Sequence, residues 1–162
     1  MNPKQFRPIA LCNVIYKIIT KVIANRLKPI LPFVISKEQA GYVEGRQIMD
    51  SVILANEVVS SLKTTKTPGM LIKLDLLQAF DKASWHYLRA ILNSFGFDQD
   101  WVNWTLKLTS SDFFSILVNG VPSCPVSTSR GIRQGDPLSP FLFILMEEGL
   151  GRYMIRIIFG TK

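Results

Sequence analysis

The sequence predicts an α+β chain, because its patterns call for two kinds of secondary structure. Met70, Ile72 and Leu74 alternate with Leu71, Lys73 and Asp75, the period of two of a largely buried strand, here ending on a carboxylate. Trp85, Leu88, Ile91, Leu92 and Phe95 recur at spacings of three and four, which is the apolar stripe of a helix. Asn119-Gly120 lies between apolar runs, the strongest short hairpin signal, since both residues tolerate positive φ. Helices packed on a small antiparallel sheet satisfy all three.

Taken in order, residues 1 to 8 form an irregular lead carrying Pro3 and Pro8. From Leu11 to Leu27 the apolar set Val14, Ile15, Ile18, Ile19, Val22, Ile23 and Leu27 makes a broad helical stripe, with Lys17, Lys21, Asn25, Arg26 and Lys28 on the remaining face. Pro29 and Pro32 end it. Such a basic face suits phosphates, and equally suits solvent over a buried stripe. Ser36 and Gln39 have capping-box spacing for a short helical turn. Gly41 to Gly45 form a loop presenting Tyr42 and Arg46, and helical period returns from 47 to 62 through Ile48, Val52, Ile53, Val58 and Leu62. Residues 63 to 69 (KTTKTPG) read as a linker between a helical part, 1 to 62, and a mixed part, 70 to 162.

Asp81 is the expected N-cap of the helix after the 70–75 strand, and Gly96 its stop. Asp98 caps the next helix, through Leu108, with Trp101 and Leu108 facing inward. Phe113 to Val118 reads as a strand and Val121 to Thr128 as an irregular return strand, which Pro122 and Pro125 confine to an edge or a bulge. A basic Gly-rich loop follows, with Arg130, Gly131, Arg133, Gln134 and Gly135, and then Ser139-Pro140 opens a strongly apolar helix. Two glycines let backbone approach a flat or charged ligand closely, and Arg and Gln supply donors.

At 162 residues and 48% hydrophobic content the chain has enough material for one globular core. Its net charge of +7 suits a phosphate-bearing partner, although a basic solvated surface carries the same charge. Two cysteines, Cys12 and Cys124, with one histidine exclude a disulfide framework or a zinc cluster, so both read as small buried hydrophobes. No apolar run reaches the about 18 residues of a membrane span, and the first residues lack a signal-peptide pattern. An intracellular location is the default expectation.

Four ordered blocks then carry a family resemblance: FRPIALCNVIYKIITKVIANRLKPIL (6 to 31), EQAGYVEGRQIMDSVILANE (38 to 57), MLIKLDLLQAFDKASW (70 to 85) and RGIRQGDPLSPFLFILMEEGL (130 to 150). Together they resemble the fingers and palm of reverse transcriptases, specifically those of non-LTR (LINE-type) retrotransposons as found in plants. The order and spacing of four blocks make the match specific where one would be weak. The resemblance implies RNA-directed DNA polymerisation, an RNA template, a DNA primer and a deoxynucleotide as partners, Mg²⁺ as cofactor, and a nuclear location within the intracellular default.

Residue by residue, the resemblance makes Asp75 the first metal aspartate and the backbone carbonyl of Leu76 a further ligand. Phe80 takes the place of the bulky aromatic under the sugar ring, which excludes a 2′-hydroxyl; a core Phe at a turn is compatible with that role. Gln134 and Gly135 match the loop along the nascent base pair. Arg7 corresponds to a contact for the incoming triphosphate, and Arg46, Arg130 and Arg133 to nucleic-acid contacts. Relatives often carry Pro where this chain has Glu44.

Two-metal phosphoryl transfer needs several carboxylates around its ions. The family's aromatic-Ala-Asp-Asp hairpin is not found after Asp136, and the adjacent acidic pair Glu147-Glu148 falls in a helix. The expectation is a polymerase fragment with an incomplete palm sheet, inactive by itself. Three rival readings remain: a basic nucleic-acid-binding remnant, an intron-maturase-like segment that shares the palm, and a helix-only interaction protein, against which the strand and hairpin patterns count.

Overall fold

A computed structural model describes residues 11–110 and 113–160. It is α+β, with seven helices and two small antiparallel pairings of strands among the described residues. Helices α1 (Val14–Leu27), α2 (Leu31–Val34) and α3 (Ile48–Thr65) precede a coil segment. Then come α4 (Ala79–Lys82), α5 (Trp85–Ser94), α6 (Gln99–Ser110), the strands β1 (Phe113–Phe114), β2 (Leu117–Val118), β3 (Val121–Pro122) and β4 (Val126–Ser127), and the long α7 (Ser139–Phe159).

The core lies where α5, α6 and α7 meet. Leu88 and Leu92 from α5, Val102 and Leu106 from α6, and Leu142 and Leu145 from α7 are buried there. Each of the large ones contributes about 1.5–3 kcal/mol by leaving water. Ala24, Leu27, Leu31, Ile35 and Val43 extend the same core to the N-terminal helices.

Local chemistry explains most boundaries. Asp98 Oδ1 accepts from the backbone N–H of Asp100 and Trp101 and so starts α6, as its position implies. Inside α6, Val102, Thr105, Leu106 and Thr109 are buried, while Trp101 stacks on Phe97 with ring centroids 4.6 Å apart. Gly96, at φ +79°, ends α5, and the N–H of Phe97 closes the turn onto Leu92 O. The Asn119-Gly120 turn has both residues at positive φ and joins β2 to β3. Between β1–β4 and β2–β3 the hairpin is interrupted: Ser123 Oγ, rather than a backbone group, accepts from Ile116 N.

Several expectations are corrected. Residues 70–76 are not a buried strand but exposed coil, with Met70 83% and Ile72 66% exposed. Alternation describes a strand's side chains, whereas a strand exists only when its backbone pairs, and no described segment pairs with this one. On α1 the buried positions are Thr20, Ala24 and Leu27; Val14, Ile15, Ile18, Ile19 and Val22 face outward. This helix is apolar on more than one side, and the side that packs is the one carrying Thr20, Ile23, Ala24 and Leu27. The helix at 48 runs through Thr65 into the expected linker, and none of its side chains is buried.

Ser36 and Gln39 form a turn but no capping box, because both side chains reach α7: Ser36 Oγ donates to Glu148 and Gln39 Nε2 to Glu147. Cys124 is exposed on the hairpin and Cys12 is half-buried, so neither is a core residue. The N-cap of α5 is Ser84, whose Oγ accepts from Tyr87 N, while Asp81 sits inside the separate short α4. Ser84→Ala is expected to lower stability by about 1 kcal/mol, read as a shifted urea midpoint, whereas Asp81→Ala should leave α5 unaffected.

Candidate functional site

Two sequence blocks some fifty residues apart are joined directly by backbone. The N–H of Gly131 donates to Ala83 O at 2.8 Å and that of Ile132 to Phe80 O at 2.8 Å. The indole N–H of Trp85 donates to Gly131 O at 2.7 Å. Glycine is required at 131 because its φ is +106° and a Cβ would come within 3.1 Å of Asp81 O.

This docking opens a cleft of about 650 Å³. Leu76, Gln78, Ala79 and Phe80 form one wall and Gln134, Gly135 and Asp136 another, with Lys21 from α1 and Tyr42 from the 41–45 loop at its edge. A volume of this size accommodates a small ligand. Asp75 stands next to it, exposed, on the rim of an adjoining apolar cavity of about 400 Å³ that Leu76 also lines. Asp75, Leu76, Phe80, Gln134 and Gly135 are therefore brought together around one region. Phe80 is half-buried, its ring stacked on Phe143.

The arginines sit differently. Arg46 turns into its own loop and donates to the carbonyls of Ser36, Gln39 and Ile35. Arg133 lays its guanidinium 4.0 Å from the centre of the Tyr16 ring and donates to Cys12 Sγ at 3.9 Å. Arg130 is exposed, and Arg7 lies outside the described residues. A sequence reports the charge of an arginine but not whether carbonyls or an aromatic face will take it first.

Asp136 is almost fully buried at the start of α7, where its Oδ2 accepts from the N–H and the Oγ–H of Ser139. The helix macrodipole favours a negative charge there. Its Oδ1 is buried and has no hydrogen-bond partner among the described residues. Burial, and after it the charge of Asp136, raises the phenol pKa of Tyr16 well above its ordinary value, against the opposing effect of Arg133. Tyr16 in turn donates to Leu108 O, so α1, the Gly-rich loop and α6 are tied at one point. Sequence reading missed Lys21, Tyr42, Tyr16 and Phe143 as neighbours of this region. The three-residue spacing of Asp136 and Ser139 was a usable signal for the buried aspartate.

Among the described residues, no three Asp, Glu, His or Cys side chains converge to hold a metal. Asp75 offers one carboxylate, which is less than a two-ion site requires, so the residues present do not by themselves complete such a centre. No described helix is long and apolar enough to cross a membrane.

The cleft between Phe80 and Gln134 thus lies beside an exposed carboxylate, Asp75, which lines the adjoining cavity. Comparison with known proteins gives the family. The family model described as reverse transcriptase (RNA-dependent DNA polymerase) matches residues 2–157. The transposon TX1 uncharacterized 149 kDa protein of Xenopus laevis is 33% identical over 145 residues, 90% of this chain and 11% of its own length. The retrovirus-related Pol polyprotein from the type-1 retrotransposable element R2 of Popillia japonica is 28% identical over 143 residues, 88% of this chain and 20% of its own. That of the type-2 element R2DM of Drosophila melanogaster is 26% identical over 151 residues, 93% and 14%. The chain belongs to the reverse transcriptase family, and these three relatives are named for transposable elements, as the LINE-type resemblance implied. It spans between about a tenth and a fifth of the length of these relatives.

Proposed function

We propose that these residues are the fingers and part of the palm of a LINE-type reverse transcriptase, and that the cleft between Phe80 and Gln134 receives the deoxynucleotide. The observation that carries this reading is the three-bond docking of the Gly131 loop onto residues 80–85, which sets Gln134 and Gly135 opposite Leu76 and Phe80. Asp75 supplies one carboxylate for Mg²⁺, with the Leu76 carbonyl beside it. Arg130 and the outward lysines of α1 face the RNA template and DNA primer, while Arg46 and Arg133 shape the loops that carry the site. An intracellular, nuclear place of action goes with this reading.

Binding tests it. A labelled RNA–DNA template-primer should bind the chain with an affinity that falls about 40-fold between 50 and 200 mM salt if some three phosphates are neutralised. Salt-independent or absent binding would remove the proposal. In single-turnover primer extension with Mg²⁺ the 162 residues should give no appreciable product, and robust extension would show that one carboxylate from this chain is enough.

A further inference from the structure

We propose that Phe143 is a positioning residue for Phe80 and so sets how strongly the cleft discriminates between deoxyribo- and ribonucleotides; the inference rests on the nucleotide reading of the cleft. The two rings are stacked, with centroids 5.0 Å apart and planes 20° apart. Phe80 lines the cleft and Phe143 the adjoining apolar cavity, and Leu76 and Ala79 line both, so the stacked pair lies where the two spaces meet. Whatever space a sugar finds beside Phe80 depends on which way that ring leans.

Phe143 is well placed to fix the lean. Its neighbours in α7, Leu142, Ile144 and Leu145, are at most 1% exposed, so the helix that presents the ring is held in the core. Phe80, by contrast, stands at the second position of the four-residue α4, entered through Gln78 at φ +54°. A short element offers its side chain little support of its own. Removing the Phe143 ring would enlarge the apolar cavity of about 400 Å³ on the far side and let Phe80 swing away from the cleft. An offset-stacked pair holds its geometry by a factor of roughly three to ten over unstacked arrangements, and that factor is what discrimination stands to lose.

The test compares binding of dCTP and CTP, which differ at the 2′-position alone, each with Mg²⁺, to the full chain and to Phe80→Ala, Phe143→Ala, Phe143→Leu and Phe143→Tyr. The wild type should prefer dCTP, and Phe80→Ala should bind both alike. Phe143→Ala should lose roughly three- to tenfold of the preference with dCTP affinity nearly unchanged, and Phe143→Tyr, which keeps the stack, should retain it. A merely structural role would weaken both nucleotides together and leave their ratio alone. Should Phe143→Ala fail to fold, Phe143→Leu keeps apolar volume without a flat face and should show the same loss. If Phe80→Ala abolishes the preference while the Phe143 variants keep it in full, the inference is wrong. If the wild type binds neither nucleotide, or Phe80→Ala changes nothing, the reading of the cleft fails first and takes this inference with it.

Discussion

Gly131→Val is expected to lower stability by about 3 kcal/mol and to separate the two walls of the cleft. Two effects add. At φ +106° a β-branched residue is strained wherever it sits, and here its Cβ would also stand 3.1 Å from Asp81 O, a backbone atom that has no side-chain freedom with which to yield. Relief by moving the loop would lengthen the bonds from Gly131 N to Ala83 O, from Ile132 N to Phe80 O and from Trp85 to Gly131 O. Gly45 supplies the control, because its φ of +79° is also positive but nothing lies within 4 Å of its would-be Cβ. Alanine at 45 should therefore cost only its backbone conformation, about 1 kcal/mol, and alanine at 131 about twice that. Urea unfolding followed by tryptophan fluorescence reads both, and equal costs at the two positions would show that the docking contributes nothing.

Much of this architecture was legible from local chemistry. Asp98, Gly96 and Asn119-Gly120 act through groups within a few residues of themselves, so their cap, stop and turn follow from sequence alone. The convergence of Leu76 and Phe80 with Gln134 and Gly135 was legible only through family resemblance, since no local pattern foretells that Gly131 docks on Ala83. What failed depended on distant partners. The 70–76 segment has a strand's alternation without a ladder to join. Helix α1 has enough isoleucine and valine to bury either of two faces, and the one that packs, with Thr20, Ala24 and Leu27, is marked by no local signal. The fate of Arg46 and Arg133 was set by carbonyls and a ring that come close only in the fold.

Glu148→Gln should cost about 2–4 kcal/mol at pH 7, and most of that difference should vanish in acid. Glu148 is buried on α7 and joins it to the chain after α2: its Oε2 accepts from the N–H of Ser36 at 3.0 Å and from Ser36 Oγ at 2.8 Å, and its Oε1 from Arg152 Nε at 2.7 Å. Arg152 carries the link onward by donating to Val34 O at 2.6 Å. An amide would turn a donor toward one of these donors, leaving a group unsatisfied at the junction. Burial alone would raise the pKa of Glu148, but the hydrogen bonds from Arg152 and Ser36 together with the Arg152 charge outweigh it and hold the carboxyl below its ordinary value. A carboxyl depressed in the folded state stabilises fully above its unfolded pKa, about 4.5, and loses that contribution as pH falls through the folded value. Its neighbour Glu147 tilts the other way, because burial raises its pKa against the bond from Gln39; its ionisation opposes folding near neutrality, and that cost disappears on acidification. At this junction the pH dependence is thus a difference between two adjacent glutamates, and Glu147→Gln is the background in which the Glu148 contribution is read without its neighbour's. Denaturant unfolding of Glu147→Gln with and without Glu148→Gln, at pH 7 and again at pH 3, should show the gap between them closing in acid. A gap that persists unchanged would mean that shape, rather than the ionised carboxylate, holds α7 to the Ser36 turn.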